Sequence, residues 1–311
     1  MTDLSVKFCG VKFNNPLVLA SGILGLTAAS WRNVVKNGAG GITTKSLWLA
    51  EHIGHENPVI IANEHYMLNA VGLPDAGIEK AEEEIGKYLG WRLHAPLIAN
   101  IVAGSVGDFG KLAEKIARMK PHLIEVNISC PNVEGELGKP FACVAGDSAK
   151  VTATVKKSLA RAHAKIPITV KLSPNVENIV EIARACVDSG ADALTVMNSV
   201  GPGMAINIET RSPILSNKCG GLTGPALKPL AVKYIYDIHR ALPKTPIIGL
   251  GGVMTGADAI EMMMAGATLV GIGTGVYYRG VEIFKKVVEE MHVWCKKNGV
   301  KKIEDIIGTA K

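Results

Sequence analysis

Short apolar runs alternate along the chain with segments whose apolar residues recur at the spacing of an α-helix. A continuous apolar run predicts a strand buried on both faces, as in a parallel sheet, and its repetition with helices predicts β/α units. Such runs lie at residues 16–20, 41–44, 97–102, 123–126, 168–172, 193–197, 246–250 and 268–272. They amount to about eight units, the number that closes a (β/α)8 barrel.

The helical segments between these runs carry one apolar face each, which is typical of helices that pack on a sheet. They are predicted at residues 27–37, 77–89, 109–119, 148–164, 179–189, 227–242, 257–265 and 281–298. Residues 4–8 and 11–13 alternate like a small hairpin. We therefore expect one domain over residues 1–311, with the hairpin at 4–13 and a (β/α)8 TIM barrel at about 16–298.

A doubly wound open sheet is the competing architecture for the same pattern. The polar residues favour the barrel, because they follow the carboxyl ends of different strands. A barrel brings all of these ends together on one face, whereas an open sheet would leave several of them far apart. Two segments, residues 47–74 and 200–225, lack a clear period and are predicted to be long loops, of which the first is ordered and functional.

Composition narrows the class of protein further. The chain has 311 residues with 20% charged, 48% hydrophobic and 5% aromatic residues, which is typical of a soluble globular enzyme. The net charge of +6 is spread along the helices, so we expect no nucleic-acid partner. The longest charge-free stretch is short and broken by glycines, so no membrane span is expected. The six cysteines form no CxxC pair, and no secretory signal is seen, which favours a cytoplasmic protein without disulfides or a metal site.

The most distinctive polar stretch is Asn127-Ile128-Ser129-Cys130-Pro131-Asn132, at the end of the fourth predicted barrel strand. Its two asparagines can hold a flat, amide-rich ligand without adding charge. We interpret Cys130 as an acid/base residue, although a lone cysteine in a strand is more often simply buried.

Two lysines also lie at strand ends. Lys171 stands between Val170 and Leu172, where a cation is costly unless an anion meets it. It suits either the pyrimidine edge of a flavin or an ion pair with a barrel carboxylate. Lys45 poses the same alternatives and suits a substrate carboxylate. Four asparagines could complete an uncharged frame around that substrate: Asn69, Asn127, Asn132 and Asn198.

Glycine turns follow the last two predicted strands, as Gly251-Gly252 and Gly273-Thr274. In a TIM barrel this is the usual place of a phosphate site made of backbone N–H groups, although such turns also occur as simple strand exits. Gly224 could extend the site. No Ser-His-Asp arrangement, HExxH, GxxxxGK[ST] or early GxGxxG motif is present, so hydrolase, ATPase and direct NAD-binding functions lose support.

Several motifs together resemble those of the dihydroorotate dehydrogenases. They are Ala20-Ser21-Gly22, Thr44-Lys45-Ser46, Asn69-Ala70-Val71-Gly72-Leu73, Asn127-Ile128-Ser129-Cys130-Pro131-Asn132, Val170-Lys171-Leu172-Ser173-Pro174-Asn175, Gly220-Gly221-Leu222-Thr223-Gly224-Pro225, Gly251-Gly252 and Gly273-Thr274. The resemblance implies a TIM barrel with FMN at its C-terminal face, which oxidises (S)-dihydroorotate to orotate in pyrimidine biosynthesis.

The resemblance also implies roles for individual residues. Cys130 would be the catalytic base that removes a proton from C5, while C6 gives a hydride to FMN. Substrate would be held by Lys45, Asn69, Ala70, Val71, Gly72, Leu73, Asn127, Asn132, Asn198 and Ser199. FMN would be held by Ser21, Lys45, Ser46, Asn100, Asn127, Lys171, Val196, Gly224, Gly251, Gly252, Gly273 and Thr274.

A cysteine base and the absence of an amino-terminal extension place the likeness with the soluble class 1 enzymes, and most closely with their NAD-linked branch. That branch implies a homodimer of this chain joined to a partner subunit with FAD and a [2Fe–2S] cluster, giving a heterotetramer. The sequence departs from the branch at Pro74-Asp75-Ala76-Gly77, where Gln-Asn-Pro-Gly is usual. Three alternatives remain open: a fumarate-linked class 1A enzyme, another FMN barrel such as a dihydrouridine synthase, and a non-catalytic flavin electron-transfer subunit.

Overall fold

Eight parallel strands close into a barrel in the computed structural model, which describes residues 2–129 and 140–311. The strands, in chain order, are β1 (Val6–Phe8), β2 (Val11–Phe13), β3 (Leu17–Leu19), β4 (Gly41–Thr43), β5 (Ile60–Ala62), β6 (Met67–Asn69), β7 (Leu97–Ile101), β8 (Leu123–Asn127), β9 (Ile168–Lys171), β10 (Ala193–Val196), β11 (Val200–Gly203), β12 (Ile206–Asn207), β13 (Ser212–Pro213), β14 (Gly220–Thr223), β15 (Ile247–Leu250) and β16 (Leu269–Ile272). The order around the barrel is β10-β15-β16-β3-β4-β7-β8-β9. The predicted TIM barrel is confirmed, and the open sheet is excluded.

The barrel strands are connected by helices that pack around it. The described α-helices are α1 (Ala28–Lys36), α2 (Ile78–Gly90), α3 (Val106–Met119), α4 (Ala145–Arg161), α5 (Ile179–Asp188), α6 (Lys228–Ala241), α7 (Gly256–Ala265), α8 (Gly275–Arg279) and α9 (Ile283–Lys297). Short 3-10 turns lie at Phe141–Cys143, Pro225–Leu227 and Ile303–Ile306.

Capping side chains fix where several helices begin. Ser105 accepts a hydrogen bond from the backbone N–H of Asp108, so α3 begins three residues before the predicted start at residue 109. Thr255 and Asp258 form a capping box at the start of α7. The predicted starts of α3, α4 and α7 were late because the first turns of these helices are polar or glycine-rich and carry no apolar period.

The core lies inside the barrel and between the barrel and its helices. Every residue of β8 and of β15 is buried, as expected for strands covered on both faces. On α9, the side chains of Phe284, Val287 and Met291 are fully buried, on the face that the sequence pattern predicted. No helix within residues 2–129 and 140–311 is long and apolar enough to span a membrane.

An antiparallel hairpin, β1 and β2, covers the amino-terminal end of the barrel. Phe8 and Phe13 are fully buried, with their rings edge to face at 6.4 Å. Phe13 lies so close to Gly41, at the start of β4, that a Cβ there would come within 2.6 Å of its ring. The opposite, carboxyl-terminal end of the barrel is therefore left for ligands.

Two segments predicted to be loops contain strands instead. Strands β5 and β6 of the first segment pair with each other, β11 and β14 of the second do the same, and β6 pairs with β14. The result is a four-stranded antiparallel sheet that we call the accessory sheet. Strands β12 and β13 form a further small hairpin. The prediction of loops was wrong because each strand has only two to four residues, too few to show a period, and because β6 and β14 pair across the two distant segments.

Candidate active site

A cavity of about 350 Å³ opens at the carboxyl ends of the barrel strands. This volume lies in the range of small-molecule sites, about 300–1,000 Å³. Its walls come from the residues that follow the barrel strands and from the accessory sheet. The residues lining it are Ala20, Ser21, Gly22, Ile23, Lys45, Ser46, Ile60, Met67, Asn69, Val71, Leu73, Asn127, Lys171, Met197, Asn198, Ser199, Thr223, Gly224, Leu227, Leu250, Gly251, Gly252, Val253, Gly271, Gly273, Thr274 and Tyr277.

A chain of uncharged polar groups runs across one wall of this cavity. Asn127 donates from Nδ2 to Ser46 Oγ at 3.1 Å and accepts at Oδ1 from Ser129 Oγ at 3.0 Å. Asn198 donates from Nδ2 to both Ser129 Oγ, at 2.9 Å, and the Ser129 carbonyl, at 3.1 Å. The strands β4, β8 and β10 end at the same face, which is why these side chains meet. Cys130, the next residue, and Asn132 lie outside the described residues.

Two lysine side chains line the cavity although both are largely buried. Lys171 is 6% exposed at the end of β9, beside Asn127 in the strand register. Lys45 is 9% exposed, just after β4. Burial lowers the pKa of the Lys45 ammonium, and the negative charge of Asp75 acts against this shift. The cavity thus offers two cations to an anionic ligand.

The carboxylate that could have paired with Lys171 is already occupied. Glu125, inside the barrel, accepts from Asn100 Nδ2 at 2.5 Å and from Thr195 Oγ1 at 2.7 Å. Among the described residues, no carboxylate oxygen lies within 4.0 Å of the Lys171 ammonium. The structural ion pair considered for Lys171 is therefore not formed there, and an anion-binding role gains support.

Glycine turns form another wall, made of residues that follow β14, β15 and β16. Gly224, Gly251 and Gly252 have φ values of +92°, +131° and +75°, a region that disfavours other residues. A Cβ on Gly252 would lie 2.8 Å from the backbone nitrogen of Lys228 and 3.0 Å from the Gly224 carbonyl. The ammonium of Lys228 pairs with Asp258 at 2.7 Å, so this wall presents backbone rather than charge.

The accessory sheet supplies the wall that the sequence did not predict. Thr223 Oγ1 donates to the Met67 carbonyl at 3.1 Å, and Asn69 Nδ2 donates to the Gly221 carbonyl at 3.2 Å. The residues after β6 continue along the cavity, and Trp48 Nε1 holds the Leu73 carbonyl at 3.1 Å. Pairing of two distant segments thus places Asn69 over the barrel mouth.

Most residues predicted for the site come together in this cavity. The predicted residues that line it are Ser21, Lys45, Ser46, Asn69, Val71, Leu73, Asn127, Lys171, Asn198, Ser199, Gly224, Gly251, Gly252, Gly273 and Thr274. Among the described residues, Ala70, Gly72, Asn100 and Val196 do not line it; Asn100 lies deeper, beside Glu125. Apolar lining residues such as Met67, Met197, Leu250 and Tyr277 were missed, because nothing in the sequence separates them from core residues.

Comparison with known proteins gives the family. A family model for dihydroorotate dehydrogenase matches residues 3–294. The chain belongs to the dihydroorotate dehydrogenase family. It is thereby an enzyme of an oxidoreductase family, and its relatives support dihydroorotate oxidation in pyrimidine biosynthesis.

Relatives among the dihydroorotate dehydrogenases match almost the whole chain. A protein of Methanocaldococcus jannaschii named dihydroorotate dehydrogenase B (NAD(+)), catalytic subunit, is 43% identical over 309 residues, covering 99% of this chain and 98% of its own. A protein of the same name from Pyrococcus abyssi is 38% identical over 307 residues, covering 99% of each chain. The likeness to the NAD-linked branch is therefore confirmed.

A solved structure shows the same fold at lower identity. The dihydroorotate dehydrogenase of Eimeria tenella, in complex with ferulenol, aligns with a TM-score of 0.85 at 23% identity. The alignment covers 99% of this chain and 88% of the other.

Proposed function

We propose that this chain oxidises dihydroorotate to orotate with FMN bound in the cavity, and that a partner subunit carries the electrons to NAD⁺. The observation that carries the proposal is the chain of asparagine and serine side chains beside two buried lysines in one cavity. Such a wall suits a flat molecule with amide edges and a carboxylate. In a chain of this family, that description fits dihydroorotate.

The residues of the cavity fit FMN. The turns at Gly224 and Gly252 bring backbone close together, and Gly273 lines the same cavity; glycine turns of this kind suit a phosphate group bound by backbone N–H groups. Lys171 offers a positive charge to the part of a flavin ring that becomes negative on reduction. Ser21, Ser46, Thr274 and Asn127 supply further polar contacts. FMN bound here would supply the hydride acceptor.

The substrate would lie against the asparagine wall. Lys45 would meet the substrate carboxylate, and Asn69, Asn127 and Asn198 would hold its amide edges. Cys130, outside the described residues, follows Ser129 directly in sequence and would take the proton from C5 as general base. Removing a proton from C5 and a hydride from C6 leaves the C5–C6 double bond of orotate.

The names of the relatives support a second polypeptide. Each of the two named above is a catalytic subunit, which implies a separate partner. We infer that the partner brings FAD and a [2Fe–2S] cluster, that it joins a homodimer of this chain as a heterotetramer, and that the assembly works in the cytoplasm. In the described residues no group of three metal-ligating side chains is found.

The catalytic role of Cys130 is tested by rapid mixing of the FMN-loaded protein with dihydroorotate under anaerobic conditions. Cys130→Ala should retain FMN but slow its reduction by about two to four orders of magnitude, the usual effect of losing a general base. The wild-type rate should rise toward pH of about 8.5, where a free thiol titrates. Reduction of the alanine variant at the wild-type rate would remove Cys130 from the mechanism.

The electron acceptor is tested by steady-state assays. The chain alone should reduce artificial dyes with dihydroorotate, use fumarate poorly, and reduce NAD⁺ only after the partner is added. Rapid turnover with fumarate by the chain alone would instead assign it to the fumarate-linked branch. Protein that binds FMN but leaves it oxidised when dihydroorotate is added would contradict the proposed activity itself.

A further inference from the structure

Asp75 lies where the first long segment returns to the barrel. Its Oδ2 accepts hydrogen bonds from the backbone N–H groups of Trp48 and Gly77, both at 3.0 Å. Its own backbone forms an antiparallel bridge with His52, with N–O distances of 2.9 and 3.0 Å. One side chain therefore joins the start of the segment, just after Lys45, to its end.

The same segment carries the residues that face the cavity from above. Asn69, Val71 and Leu73 line the cavity, and Leu73 has a positive φ of +53°. The Leu73 carbonyl is held by Trp48 Nε1, and Trp48 is in turn held through its backbone by Asp75. Release of the Asp75 carboxylate would therefore loosen the position of Leu73 relative to the barrel.

Asp75 also carries the charge that acts on Lys45. Burial lowers the pKa of Lys45, and Asp75 opposes the shift from a distance greater than that of a direct ion pair. The other described charged groups around the cavity do not provide this. Lys171, from β9, has the same sign as Lys45, and Glu125, inside the barrel, is bonded to Asn100 and Thr195. Other titratable groups nearby are Tyr277, His52 and His55.

We propose that Asp75 is a positioning residue of the active site, which holds the substrate-facing segment on the barrel and supplies a negative charge that acts on Lys45. The effect of Asp75 on Lys45 matters for activity only if Lys45 binds an anionic substrate, and in this respect the inference rests on the proposed function. Asp75 itself does not line the cavity, so it acts through Trp48, Leu73 and Lys45.

Two substitutions separate the two effects. In the wild type, a single oxygen of Asp75 accepts both hydrogen bonds, from Trp48 and from Gly77. The amide oxygen of Asp75→Asn can therefore still accept both. The charge is lost while the segment stays attached. In Asp75→Ala, both the charge and the hydrogen bonds are lost. Glu51→Gln removes an exposed charge from the same segment and is the matched control.

The protonation of Lys45 is measured directly on the purified protein by NMR of labelled lysine, with the Lys45 signal assigned from Lys45→Arg. Asp75→Asn should lower the pKa of Lys45, because an opposing negative charge is removed, whereas Glu51→Gln should leave it in place. An unchanged Lys45 pKa in Asp75→Asn would overturn the electrostatic part of the proposal. This measurement needs neither flavin nor substrate, so it stands apart from the proposed activity.

Steady-state kinetics with dihydroorotate and a dye test the positioning. Asp75→Ala should raise KM by about tenfold or more, the effect of losing hydrogen bonds to a charged group, with kcat nearly unchanged. Asp75→Asn should have the wild-type KM near neutral pH. As the pH is raised, the KM of this variant should begin to increase at a lower pH than that of the wild type. A wild-type KM in Asp75→Ala would overturn the positioning role. If no variant or wild type oxidises dihydroorotate while the Lys45 shift is seen, the proposed function fails and the electrostatic inference holds.

Discussion

Ser129 connects the two asparagines that line the cavity, although the sequence pointed to its neighbours rather than to it. Its hydroxyl donates to Asn127 Oδ1 and accepts from Asn198 Nδ2. The side chain is fully buried, so no water is at hand to replace either bond. Cys130 and the asparagines could be singled out from the sequence by their residue types. The role of Ser129 depends on β8 and β10 ending at the same height, which only the structure gives.

We expect Ser129→Ala to lower the free energy of unfolding by about 1–3 kcal/mol, the cost of leaving buried polar groups unsatisfied. It should also raise the KM for dihydroorotate, since both asparagines lose a fixed orientation. Urea unfolding and steady-state kinetics measure the two effects. Ser212→Ala removes an exposed hydroxyl from the small hairpin and should change stability by less than about 0.5 kcal/mol. Equal stabilities of the two variants would contradict the role given to Ser129.

At the scale of elements, the turn at Gly251 and Gly252 follows β15 and brings it close to the start of α6. The positive φ of Gly252 and the backbone 2.8 Å from its missing Cβ impose two separate constraints. Gly299, after α9, has a similar φ of +69° but nothing within 4 Å of a Cβ. Comparing substitutions at Gly252 and Gly299 therefore separates the cost of a positive φ from the cost of a clash with the cavity wall.

We expect Gly299→Ala to cost only the strain of a positive φ, about 1–2 kcal/mol. Gly252→Ala should cost more than this, and it alone should lower the amount of FMN that remains bound after gel filtration. Thermal unfolding and the flavin absorbance of the eluted protein are the measurements. Identical losses of stability and full FMN content in both variants would show that the turn is a simple strand exit.

The barrel strands were predictable and the strands of the accessory sheet were not, for a physical reason. A run such as residues 123–126 is apolar throughout, so burial on both faces of a parallel sheet is the solution that removes it from water. Strand β14 contains two glycines and β11 contains two glycines and a proline, so their composition predicts turns. They become strands because they pair with each other and because β14 also pairs with the distant β6. The hydrogen bonds that Asp75 accepts could not be predicted either, because one of their donors, the N–H of Trp48, is brought close only by the folding of the segment.

At the scale of the whole molecule, two histidines couple folding to pH. His122 Nδ1 accepts a hydrogen bond from the backbone N–H of Leu97, at 3.1 Å, which requires an unprotonated nitrogen. Burial lowers the pKa of His122 and that of His239 below the usual 6.5. The unfolded chain therefore binds more protons than the folded one below about pH 6.5, so acid favours unfolding.

We expect the urea midpoint of the wild-type protein to fall as the pH is lowered through about 6.5, where free histidine titrates. His122→Asn keeps an acceptor for Leu97 without a titrating ring, so its midpoint should fall less over the same range. His163→Asn alters a histidine on the surface after α4 and should retain the wild-type slope. A midpoint that is independent of pH between 8 and about 5.5 in the wild type would contradict the coupling.

The accessory sheet has a consequence for how the protein is made. Thr223 and Met67 are 156 positions apart, yet their pairing joins two walls of the cavity. During synthesis, the first half of the barrel is complete long before β14 has left the ribosome, and at that stage β6 is paired with β5 but not yet with β14. A protein that retains its ligand must therefore contain both halves of the chain with β6 and β14 paired. Ligand retention is for this reason a more sensitive test of correct folding than helix content.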